Sequence, residues 1–170
     1  ANIQVSREDW CIYADGDKNV PSILYEYITR NPAKKNFLIY PILFSYRHYI
    51  ELILKDIIRN GYLLLQYKKT VPICHKVCDL WKTCDEILKK IPDYNEDSKI
   101  KHFVVKKLIN EFKKYDSLSF AFRYPIDTKG NVSLPNLKNV NLDNFIAVGH
   151  KLSNVLDTIS NYLYVLLDQE

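Results

Sequence analysis

Glycine is scarce in this chain, at four of 170 residues. The glycine-dependent signatures are missing with it. There is no G-x-x-x-x-G-K-[ST], no G-x-G-x-x-G and no G-x-S-x-G, and H-E-x-x-H is absent as well. Phosphate-loop, dinucleotide-binding, hydrolase-elbow and zinc-protease chemistry therefore have no sequence support. Methionine is absent altogether, which leads us to expect that Ala1 follows a removed start or a tag remnant. Cysteine is limited to four residues, three of them close together at 74, 78 and 84. In a chain this long that is no secreted disulfide framework. The opening ANIQVSREDWC has no apolar core of a signal peptide, so a cytoplasmic protein is expected. The formal charge of +4 permits an acidic partner without demanding one, and many nucleic-acid modules are far more basic.

Apolar and aromatic residues are plentiful. Thirteen tyrosines and seven phenylalanines, in a chain that is 47% hydrophobic, favour a dense helical core. The length fits one domain over residues 1–170. The central stretch runs FLIYPILFSYRHYIELILKDIIRN, from Phe37 to Asn60. A membrane span would not hold Arg47, His48, Glu51, Lys55 and Asp56, because each charge costs several kcal/mol there. A surface helix needs no apolar face so wide. The stretch reads as the central helix of a soluble bundle, with Arg47, Glu51 and Lys55 on one face at four-residue spacing.

Around it the pattern predicts an all-α antiparallel bundle of about five helices, with a short extended hairpin near 120–134. Residues 1–19 read as an irregular segment ending in the turn-rich ADGDKN. A first helix is expected from Pro21 to about Arg30, and the long helix is expected to stop at Gly61. A third helix is expected over Cys74–Lys90. A fourth, capped by Asp97 or Ser98, would end near Tyr115, with Ile100, Phe103, Val104, Leu108 and Phe112 inside. A fifth would be opened by Asn141 or Asp143 and run to about Leu167. Its apolar stripe is suited to a bundle or to a second copy.

Four groups of residues could carry chemistry. Arg47, His48, Glu51 and Lys55 could hold a phosphate and move a proton, as a metal-independent ribonuclease requires. They could equally form a buried ion ladder. Arg123, Asp127 and Asp116 suit ligand contact from a loop, or a pin of that loop onto the bundle through Glu51 or Asp116. Cys74, His75, Cys78 and Cys84 lack the second distant ligand pair of a zinc site. We therefore expect no metal and read the thiols as core residues, with His75 as a capping or pocket histidine. The lysines of 99–114 read as a nucleic-acid stripe or, more simply, as a solvated helix face.

YPILFSYRHYIELILKDII, the H-x-x-x-x-L-W of His75–Trp81 and the F-R-Y-P-x-D of Phe122–Asp127 occur in that order, before a long amphipathic helix. Together they resemble bacterial HEPN-like proteins over about residues 20–167. The resemblance implies a helical bundle, often a homodimer. Members include RNA-cleaving toxins, antiviral effectors and non-catalytic binding modules. The family's ribonuclease motif places a histidine four to six residues after an arginine, and no arginine of this chain has one. The expectation is a non-catalytic module for RNA, a nucleotide or a protein partner, used in a toxin–antitoxin or phage-defence setting, with no cofactor and no membrane association. The alternative is an RNA-cleaving effector with Arg47, His48 and His75 as catalytic candidates. Arg47, Glu51, Lys55, Arg123 and Asp127 would then bind phosphate or ligand.

Overall fold

The computed structural model describes residues 10–92, 94, 98–115 and 120–169. Five α-helices account for most of them: α1 (Trp10–Arg30), α2 (Lys35–Leu64), α3 (Val77–Leu88), α4 (Ser98–Tyr115) and α5 (Leu142–Leu167). A short 3-10 turn, Pro32–Lys34, joins α1 to α2. The protein is an all-α helical bundle, with no strand among the described residues. No helix among them is long and apolar enough to cross a membrane.

The first helix begins eleven residues earlier than expected, at Trp10 rather than Pro21. ADGDKN is helical. Its turn propensity is overridden by tertiary ties. Ala14 is buried in the main core. Asp17 meets His48 of α2 at 2.6 Å, and Lys18 meets Asp157 of α5 at 2.5 Å. Ala14, Pro21 and Ile28, the buried residues of α1, are seven apart and so share one face.

At 30 residues, α2 spans roughly 45 Å. Seventeen of its residues are buried, because α1, α3 and α5 all pack against it. Pro41 lies inside the helix rather than at its start. Gly61 is not the stop either. The helix continues to Leu64, and the chain leaves it at Gln66, which takes a φ of 52°. Gly61 is needed for close approach, since a Cβ there would collide with the Ile87 side chain of α3. Gly149 plays the same part on α5. A Cβ at that position would sit 2.5 Å from Cζ of the buried Tyr46 ring.

The third helix is shorter than expected, because residues 74–76 remain outside it. The inner face of α4 is also turned from the expected one. Val105 and Ile109 are buried and Leu108 and Phe112 half-buried, whereas Phe103 and Val104 are exposed. The side chain of Ile100 and the cap residue Asp97 lie outside the described residues. On α5, Asn141 is the cap, its side chain accepting from Asn144 N at 3.0 Å. The hairpin is reduced to one antiparallel bridge, Ile126 to Val132, around a turn in which Gly130 takes a φ of 83°.

One large core joins α1, α2, α3, α4 and α5 along the C-terminal half of α2. A smaller cluster of Ile28, Ile42, Tyr46, Leu142 and Ile146 closes its N-terminal end. The segment 120–140 lies over that end, since Arg123 stacks on Phe44 of α2 with its guanidinium 5.6 Å from the ring centre.

Candidate functional site

The polar residues of α2 fall into three separate environments. The first is built on Glu51. Arg47 and Lys55, one turn to either side, reach it at 3.3 and 2.8 Å. His75, in the segment before α3, donates from Nδ1 to Glu51 Oε1 at 2.8 Å. Arg47 also donates to the main-chain carbonyl of His75. All three α2 residues are sealed, with 0% of Arg47, 2% of Glu51 and 6% of Lys55 exposed. Trp10 of α1 covers Lys55, whose Nζ is 5.3 Å from the ring centre. Burial by itself would raise the Glu51 carboxyl. Hydrogen bonds from Lys55 and His75 and the charges of Lys55 and Arg47 outweigh it, so the group is held below its ordinary value. The His75 side chain, by contrast, is 62% exposed. Arg47, Glu51 and Lys55 thus form the buried ladder, and no phosphate reaches them in this arrangement.

The second environment surrounds Asp56, a fully buried carboxyl that the sequence pattern did not single out. Its hydrogen-bond donors are neutral: Ser160 at 2.7 Å, Tyr164 at 2.9 Å and Asn60 at 3.2 Å. Burial pushes this carboxyl up, partly offset by the Ser160 and Tyr164 hydrogen bonds. Two of the donors lie more than a hundred residues away on α5. The only local sign was an aspartate in the middle of the apolar run ILKDII.

The third environment is open. A cleft of about 1020 Å³ lies between the first turns of α2 and the 121–140 segment. Lys35, Asn36, Ile39, Tyr40 and Leu43 form one wall. The other includes Phe122, Arg123, Tyr124, Ser133 and Lys138. Among the described residues three cationic side chains line it and no carboxylate does. The rings of Tyr40 and Tyr124 are about half exposed. Arg123 lies against three rings, those of Phe44, Phe120 and Tyr124, at 5.1–5.7 Å.

Of the sequence candidates, only Arg123 lines this cleft. Asp127 shapes the neighbouring turn instead. It accepts from Lys129 N, Asn131 N and Asn131 Nδ2, and these bonds hold its carboxyl low. Glu51 is not the partner of Arg123: it lies two turns further along α2 than Phe44, on which Arg123 stacks, and is bound by Lys55, His75 and Arg47. Asp116 lies outside the described residues. His48 pairs with Asp17 and stacks on Phe44, with ring centres 5.4 Å apart. Lys35 and Lys138 were missed by sequence reading, because nothing local distinguishes them from the other lysines of the chain.

The cysteines go to different neighbours. Cys74 is near Lys76, Cys78 near Asn110 at 3.6 Å, and Cys84 near the Leu54 carbonyl at 3.4 Å. Among the described residues no group of three or more His, Cys, Asp or Glu is arranged to hold a metal ion. Comparison with protein-family models, with curated proteins and with solved structures gives no match for this chain.

Proposed function

We propose that this chain is a HEPN-like binding module, non-catalytic in its buried ladder, whose cleft takes a nucleotide or the end of a single-stranded RNA. The observation that carries the reading is the lining of that cleft, with Lys35, Arg123 and Lys138 and, among the described residues, no carboxylate. Cations of this kind pair with phosphate. The exposed rings of Tyr40 and Tyr124 offer faces on which a base stacks, at about 1–3 kcal/mol per base. The volume, about 1020 Å³, lies at the upper limit of small-molecule sites, about 300–1,000 Å³. A role in bacterial stress or phage defence follows from the same sequence resemblance. The homodimer it implies would use surfaces other than the inner stripe of α5, since Leu152, Leu156, Ile159 and Leu163 are buried within one chain.

Fluorescence anisotropy with a labelled oligoribonucleotide, and with ATP as competitor, tests the site. Lys35→Ala/Lys138→Ala should weaken binding and make the salt dependence shallower by about two units of log–log slope. Equal binding by the wild type and the double variant, or none by the wild type, would remove the proposal.

One observation favours a second reading, RNA cleavage. The Asp17–His48 pair and Arg123 both pack on Phe44 at the edge of the cleft. An acid–base group and a cation then stand near one another. Cleavage by the wild type that disappears in folded His48→Ala would establish it.

A further inference from the structure

We propose that His75 is a phosphoryl-acceptor site, its Nε2 attacking the phosphorus of a nitrogen-bound phosphoryl donor. The argument starts from what the buried ladder accomplishes. Burying three charged side chains on one helix contributes little net stability, because desolvation consumes most of the Coulombic gain. Here the bonds of the ladder converge on one residue outside the helix. Arg47 holds the His75 carbonyl, and Glu51 holds His75 Nδ1 at 2.8 Å. Main chain and side chain are therefore both fixed, in a segment that belongs to no helix.

The chemistry follows from the carboxylate. An ionised Glu51 only accepts hydrogen bonds, so Nδ1 must carry the proton. The neutral ring then has its lone pair on Nε2. Because the side chain is 62% exposed while its Nδ1 edge faces buried Glu51, the Nε2 edge faces solvent. The result is an imidazole with a set tautomer, a set direction and an accessible nucleophilic nitrogen. In the transfer, the Nε2–P bond forms as the donor's P–N bond breaks. The electron pair of that bond leaves with the donor nitrogen, which takes a proton from water. As positive charge develops on the His75 ring, Glu51 stabilises it through the Nδ1 hydrogen bond.

His150 gives an internal control, since it is also exposed but its ring meets the Ser22 hydroxyl at 3.5 Å and the edge of Tyr46 rather than a buried carboxylate. The full chain would be incubated with phosphoramidate and labelling followed by intact mass and by peptide mapping under alkaline conditions. We expect one acid-labile phosphoryl group at His75 and none at His150. His75→Gln should abolish it. Glu51→Gln, confirmed as folded by circular dichroism, should slow it by about tenfold or more through loss of the fixed tautomer. His150→Gln should leave it unchanged. No labelling of folded wild type, equal labelling of His75 and His150, or an unaltered rate in Glu51→Gln would overturn the proposal. None of these outcomes bears on ligand binding in the cleft, which Lys35 and Lys138 report separately.

Discussion

Glu51 and Asp56 are two buried carboxyls five residues apart on one helix, and their surroundings are opposite. At 3.6 residues per turn they point about 140° apart. Glu51 faces the segment before α3 and receives Arg47, Lys55 and His75. Asp56 faces α5 and receives only hydroxyl and amide donors. The first carboxyl is held low and the second is pushed up. Partner type, not depth of burial, sets the direction, since both residues are at most 2% exposed.

The largest test of this contrast is to delete each carboxyl. Glu51→Ala leaves Arg47 and Lys55 buried without their counter-ion, and urea unfolding should show a loss of about 3–5 kcal/mol. Asp56→Ala strands neutral hydrogen-bond donors, with the Arg59 charge acting only at a distance, so the same measurement should give a smaller loss, about 1–3 kcal/mol. Loss in the reverse order would break the comparison.

Stability against pH sharpens it further, because the two groups act with opposite sign. The folded value of Glu51 lies below its ordinary 4.5. Its contribution is present above pH 4.5 and is lost as pH falls through the folded value. The folded value of Asp56 lies above its ordinary 3.8, so the native state holds its proton more tightly. The contribution of Asp56 is therefore full below pH 3.8 and declines as pH rises through the folded value. Glu51→Gln should remove the acid-side loss, and Asp56→Asn should remove the decline above pH 3.8. Denaturant midpoints across pH 3–7 would show both.

The smallest effect is expected for Tyr164→Phe. It removes one donor from Asp56 at a cost of about 1 kcal/mol and moves that carboxyl higher still, which carbon-13 titration of the Asp56 side chain would detect.

Much of the fold could be read from the residues, because it depends on local pattern. The fifth helix opens at Asn141, one of its two expected cap residues, and ends at the expected Leu167. The errors have one physical origin, contacts between residues far apart in sequence. Asp15, Gly16, Asp17 and Asn19 favour a turn until His48 and Asp157 anchor the helix they belong to. Gly61 looks like a terminator until Ile87 is placed against it. On α4 the pattern was ambiguous by about a third of a turn, and the choice of Val105 over Val104 is made by α3 and α5. The site divides in the same way. Arg47, Glu51 and Lys55 were visible as a group because all three lie on one helix, whereas His75, read with the cysteines, joins them only through the fold. The cleft needed Lys138 to come within reach of Lys35, a hundred residues earlier.

The meeting of Tyr46 with Gly149 sets more than a distance. α5 carries a single glycine, and the tip of a buried ring points straight at it. One turn away in either direction stand Phe145 and Ile146 or Leu152 and Ser153, each with a Cβ where the ring would need room. The pair therefore acts as a detent. It favours one axial setting of α5 along α2, the setting that brings Ser160 and Tyr164 level with Asp56.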